Sequence, residues 1–98
     1  MLDLDRYINN SIKVKIFREE LEILEPSVQM IMQIDRIESE KKKDEKEAVL
    51  EIAELFLNHN CQGRKFTKEE LKKLPYEALY HLNLEVSTLR YKAEEDPN

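Results

Sequence analysis

The feature that most constrains this chain is a change of hydrophobic period at Pro26. Before it, Ile12, Val14 and Ile16 alternate with Lys13 and Lys15, and Leu21 and Ile23 alternate with Glu20 and Glu22. Period two marks half-buried strands, whose successive side chains point to opposite faces. Arg18 and Glu19 lie between the two runs and leave room only for a tight connection. The pattern predicts a β-hairpin over residues 11–25. The connection has neither Gly nor Asn, the residues that two-residue hairpin turns prefer, so the register stays open. An isolated hairpin is marginal in water, so this one needs the segments that follow.

After Pro26 the period becomes helical. Ser27 is a good N-cap for a helix opening at Val28 with Met30 at N3. Val28, Ile31 and Met32 share a face, with Met30, Ile34 and Ile37 beside it, an arc wide enough for packing on two sides. Residues 38–47 are then almost wholly charged. They read as a break or frayed linker, with one continuous helix as the alternative, because no Gly or Pro forces a stop. Ala48, Val49, Ile52, Ala53, Phe56 and Leu57 form a two-row stripe. Residues 58–63 read as a turn around Gly63. Thr67 and Glu70 form a capping box. Pro75 is placed in the first turn of a last helix, where its missing N–H costs nothing. The predicted helices are residues 27–38, 45–58, 67–74 and 75–93. The expected fold is α+β and mostly α: an N-terminal hairpin packed on three to four helices in a single domain over residues 1–98.

Composition bounds what such a domain can do. The chain has 98 residues, one Gly and three Pro. One modest core fits that length, and a catalytic domain plus a cofactor domain does not. The scarcity of Gly excludes a glycine-rich phosphate loop. Sixteen basic against 21 acidic residues give a net charge of −5, which favours solubility and works against non-specific nucleic-acid binding. Cys61 is the single cysteine, so no intramolecular disulfide exists and a reducing compartment is expected. Residues 1–10 carry Asp3, Asp5 and Arg6 without the apolar stretch of a secretory signal. No run nears the roughly 18 apolar residues that cross a bilayer. The expectation is a soluble intracellular protein with no membrane association.

No constellation in the sequence spells out catalysis. His59 and Cys61 stand two apart, but a zinc site wants four ligands and the only other candidate is His81. They are expected to do no chemistry. Glu19, Glu20, Glu22 and Glu25 cluster around the hairpin and are expected on solvated faces, because paired carboxylates act only in a cleft that shifts their pKa. The reading is no enzyme, no metal and no cofactor. Arg64, Lys65, Lys68, Lys72 and Lys73 surround Phe66 and make the best case for nucleic acid. Glu69 and Glu70 interrupt that cluster, and Phe66 sits where a residue packs just before a helix cap. The last helix is the more informative. Leu79, Leu82, Val86 and Leu89 form one row, and Tyr76, Tyr80, Leu84 and Tyr91 form a second. Two rows exceed the ~100° stripe that one core contact needs. Tyr76, Tyr80, Leu84 and Tyr91 are therefore the candidate interface, for a partner or for a second copy.

The order of these pieces resembles the tail assembly chaperones of long-tailed bacteriophages and prophages, of the Gram-positive type. A short N-terminal segment leads to the hairpin, and Leu21-Glu22-Ile23-Leu24-Glu25-Pro26-Ser27-Val28 passes straight from strand to helix. A charged gap, a second helix, Phe66-Thr67-Lys68-Glu69-Glu70-Leu71 and Leu74-Pro75 then precede the last helix. The likeness spans nearly the whole chain and lies in its layout. It implies a protein of the host bacterial cytoplasm that coats the extended tape measure protein and helps tail tube protein polymerise around it. Homo-oligomers, no cofactor and no catalysis go with that role. The alternative is a small regulatory protein that binds nucleic acid or a host transcription protein through the Arg64–Lys73 region.

Overall fold

The computed structural model describes residues 1–8, 10–40 and 42–89. It is α+β and mostly helical, with the hairpin at the N-terminal end as expected. A single turn, α1 (Asp5–Ile8), comes first, its Asp5 N–H donating to Asp3 Oδ1 at 3.1 Å. Strands β1 (Ser11–Ile16) and β2 (Glu19–Leu24) pair antiparallel. Ile12 faces Ile23 and Val14 faces Leu21 on the core side, while Lys13 faces Glu22 and Lys15 faces Glu20 on the other. Opposite charges directly across a ladder each add a few tenths of a kcal/mol, up to about 1.

The connection is Phe17-Arg18, one residue earlier than Arg18-Glu19. Alternation alone does not decide between these, because a register shift of two keeps every side chain on its face. Both turn residues have positive φ, 50° at Phe17 and 69° at Arg18. That is what a two-residue turn needs to match strand twist. The hairpin is also longer on one side than its sequence pattern reveals. Leu24 N–H donates to His59 O and Cys61 N–H to Glu22 O, each at 3.0 Å, and Ile23 bridges Asn60. The stretch 59–62 thus lies along the free edge of β2, which would otherwise offer unpaired backbone groups.

Four more helices follow among the described residues. Ser27 caps α2 (Val28–Ser39) by accepting from Met30 N–H at 3.2 Å, as its position after Pro26 implies. The charged gap is a break: α2 ends at Ser39, and Asp44 caps α3 (Glu45–Leu57) by accepting from Lys46 N–H at 3.2 Å. Lys43 fixes the connection, its Nζ 2.6 Å from Glu51 and 3.1 Å from Glu40. The capping box of Thr67 and Glu70 opens α4 (Lys68–Leu71). This helix is shorter than the expected 67–74, because Leu74 precedes Pro75 and such a residue disfavours the helical region. Pro75 stands at the N-cap with extended backbone, ψ 143°, so α5 (Tyr76–Ser87) begins one residue later than expected. Its C-cap is Thr88, and residues 90–93 of the expected helix lie outside the described residues.

Helix α3 is the hub, buried through Val49, Ile52, Ala53, Phe56 and Leu57. Ile16, Leu21 and Ile23 meet Phe56, Leu57, Phe66, Leu71, Val86 and Leu89 in the main core. Val49, Ala53 and Leu79 form a smaller one where α3 meets α5. Helix α2 packs on one side only, contrary to its wide apolar arc: Val28 is 75% and Met32 56% exposed, and only Met30 is buried. Among the described residues no element covers its second face.

Candidate functional site

The same shortage of covering elements shapes α5. Its buried row is Leu79 and Val86, with Leu82 partly buried between them and Leu89 buried just beyond. Leu79 meets Val49 and Ala53 of α3, where the small alanine lets the helices approach. Asn83 Nδ2 donates to Val49 O at 3.2 Å, which fixes how α5 is turned about its axis. The neighbouring row, spaced i, i+4, i+8, therefore points to solvent. Tyr76 is 41%, Tyr80 44% and Leu84 49% exposed. Tyr91 lies outside the described residues.

The row is ordered on its own. The Tyr76 and Tyr80 rings stack with centroids 6.1 Å apart and planes 22° off parallel, within the range of favourable aromatic pairs. Tyr76 Oη donates to Glu45 Oε1 at 3.5 Å, tying the first turn of α5 to the first turn of α3. Desolvation, then the Glu45 charge, raises the Tyr76 pKa, so the phenol stays neutral and keeps its proton to donate. Aromatic faces with polar tips, held in place before any partner arrives, are what protein interfaces use most.

The rival surface looks different once its geometry is known. Arg64 Nε lies 3.1 Å from Glu19 and Nη2 3.2 Å from Glu70, while Nη1 donates to Lys65 O. Its guanidinium sits 4.1 Å above the Phe66 ring, and hydrogen bonding to Glu19 holds its pKa above the ordinary value. Phe66 is 3% exposed and cannot stack on a base. Lys68 pairs with Glu51 at 3.6 Å, Lys72 with Glu69 at 3.3 Å, and Lys65 Nζ donates to Asn58 O at 2.9 Å. Three of the cluster's five cations, Arg64, Lys68 and Lys72, are thus paired with carboxylates of the fold.

His59 and Cys61 serve the sheet edge through their backbones. Among the described residues no group of three or more His, Cys, Asp or Glu is placed to hold a metal ion, and no helix is long and apolar enough to cross a membrane. Two asparagines carry the loop instead. Asn58 donates to Phe66 O at 3.1 Å and accepts from Phe66 N–H at 2.7 Å. Asn60 donates to Leu57 O and Arg64 O, each at 2.7 Å, and accepts from Arg64 N–H at 2.9 Å. The Asn-x-Asn spacing in a turn was the available signal, since asparagine amides often bond nearby backbone. The hairpin carboxylates also divide. Glu20 is solvated, Glu19 is paired with Arg64, and Glu25 has one oxygen, Oε1, buried without a hydrogen-bond partner. Glu25 is therefore a correction to the expectation of solvated faces.

No family model, curated protein or solved structure matches this chain.

Proposed function

We propose that the chain is a binding protein and not an enzyme, and that its role is that of a phage tail assembly chaperone. In this reading it holds a helical segment of a tape measure protein in the cytoplasm of the bacterial host and aids assembly of tail tube protein around it. The observation that carries the reading is the exposed, pre-stacked row of Tyr76, Tyr80 and Leu84 on α5. A row spaced i, i+4, i+8 is a natural seat for an amphipathic helix, which presents its own anchors at the same spacing. The layout resemblance supplies the specific partner. A second copy of the chain is the expected occupant when the partner is absent, which makes the protein a homo-oligomer.

Co-expression with a long, helix-rich tape measure protein tests this. Wild-type chain should move that protein into the soluble fraction and co-purify with it, and Tyr80→Asp should lose both effects. Equal solubility with and without the wild-type chain would refute the reading. The regulatory alternative expects retention on DNA or RNA that weakens with salt. The ion pairs of Arg64, Lys68 and Lys72 weigh against it.

A further inference from the structure

Among the described residues, the fold covers only one of the sheet's two edges. Along β2, Leu24 N–H donates to His59 O, Cys61 N–H to Glu22 O, and Glu22 N–H to Gln62 Oε1, each at 3.0 Å. Glu22 and Leu24 thus turn their backbone groups away from β1. In an antiparallel ladder the residue facing such a position turns its own groups away as well. Glu22 faces Lys13, and two residues back Glu20 faces Lys15. The N–H and C=O of Lys13 and Lys15 therefore point outward from β1. Among the described residues none of these four groups has a hydrogen-bond partner, and only β2 packs closely along the strand. Both lysine side chains are exposed, and neither is in an ion pair among the described residues. On the other face of the strand, Ile12 and Val14 are only partly buried.

We infer that this edge takes an extended segment of a partner polypeptide in which acidic residues alternate with β-branched apolar ones. At a free sheet edge backbone pairing supplies affinity, and alternate side chains supply specificity. Carboxylates are favoured opposite Lys13 and Lys15, as Glu22 and Glu20 are on the strand's paired side. The intervening residues stand beside Ile12 and Val14 and extend their burial. The stretch Glu20-Leu21-Glu22-Ile23 of β2 is thus the pattern of the partner. A second copy does not fit. Its β2 edge is taken by its own residues 59–62. Any antiparallel pairing of two β1 strands that engages both lysines with faces aligned sets lysine against lysine. Like charges directly opposite are destabilising, and lysines on an edge deter such self-pairing. The edge shares no residue with the α5 row, so the inference does not depend on the tail-assembly reading.

The probe is a capped five-residue peptide of alternating glutamate and valine, titrated into ¹⁵N-labelled full chain with hydrogen exchange read at single amides. Without peptide, the Lys13 and Lys15 amides should exchange freely, while that of Val14, inside the hairpin ladder, is protected. With peptide at about ten times its Kd, exchange at Lys13 and Lys15 should slow about ten-fold. The same peptide with lysine for glutamate, or with its glutamate amides N-methylated, should give no such protection. The double variant Lys13→Gln, Lys15→Gln should bind the acidic peptide several-fold more weakly; both side chains are exposed, so it folds. Protected Lys13 and Lys15 amides in the free chain would overturn the proposal, by showing the edge already covered. So would equal binding of the glutamate and lysine peptides, protection that survives N-methylation, or unchanged affinity in the double variant. No added protection at any soluble concentration of the acidic peptide would overturn it as well.

Discussion

Phe17 and Arg18 show how one side chain can hold a backbone that its neighbours disfavour. Left-handed φ at a residue with a Cβ costs roughly 1–2 kcal/mol, and both turn residues take it. Phe17 recovers part of that cost by packing its ring 6.1 Å from Phe66. Arg18→Gly should therefore raise stability by about 0.5–1 kcal/mol, the relief of strain less the entropy of a freer unfolded chain. The urea midpoint measures it, and an unchanged or lower midpoint contradicts the strain. Asn60→Ala should be costly, about 2–3 kcal/mol for three partly buried hydrogen bonds. Replacing His59 and Cys61 together with Ser should stay within about 0.5 kcal/mol, because their ladder bonds are main-chain. This division was only partly legible beforehand. The Asn-x-Asn spacing hinted that the turn's amides bond backbone, but nothing marked His59 and Cys61 as ladder residues, and an alternating strand reads the same in registers two apart.

Caps and ion pairs decide where each element starts and how it responds to acid. Thr67→Ala should cost about 1 kcal/mol through loss of the α4 cap, seen as a lower melting temperature. Glu70 is held below the usual carboxylate range by the Thr67 backbone N–H and then by Arg64. Glu51 is held down chiefly by its hydrogen bond from Lys43. Depressed folded-state values mean stability that is present above the ordinary carboxylate pKa and lost as pH falls below about 4. Lys43 is raised by the hydrogen bonds to Glu51 and Glu40, so its contribution holds through neutral pH and fades only above about 10. In Glu51→Gln the fall in melting temperature between neutral pH and pH 3 should shrink; an identical fall would remove this pair from the account. The caps at Ser27 and Thr67 were plain in the sequence, since each polar residue precedes an apolar periodic run. Asp44 was not, because it sits inside a run of charges where nothing marks one carboxylate as a cap.

For the whole molecule, the number of elements determines what remains uncovered. The two rows of α5 were legible from spacing alone. Which row the fold buries was not, because that depends on α3 lying against Leu79 and on no described element lying over Tyr80. Tyr80→Asp should leave the melt nearly unchanged, since the side chain is already 44% exposed. It should convert oligomers to monomers by light scattering, because a charge buried unpaired at an interface costs several kcal/mol. A persisting oligomer would remove the row from self-association. The stretch along the edge of β2 has a consequence of another kind. The hairpin forms from neighbours in sequence, but its second edge is satisfied only when the chain comes back after α2 and α3. The strands therefore have little lifetime of their own, and opening them means breaking the bonds of Leu24 and Cys61 at the end of α3. In native-state hydrogen exchange the Leu24 amide should open with the amides of α3 in a single step, so that strand and helix are lost together rather than in turn.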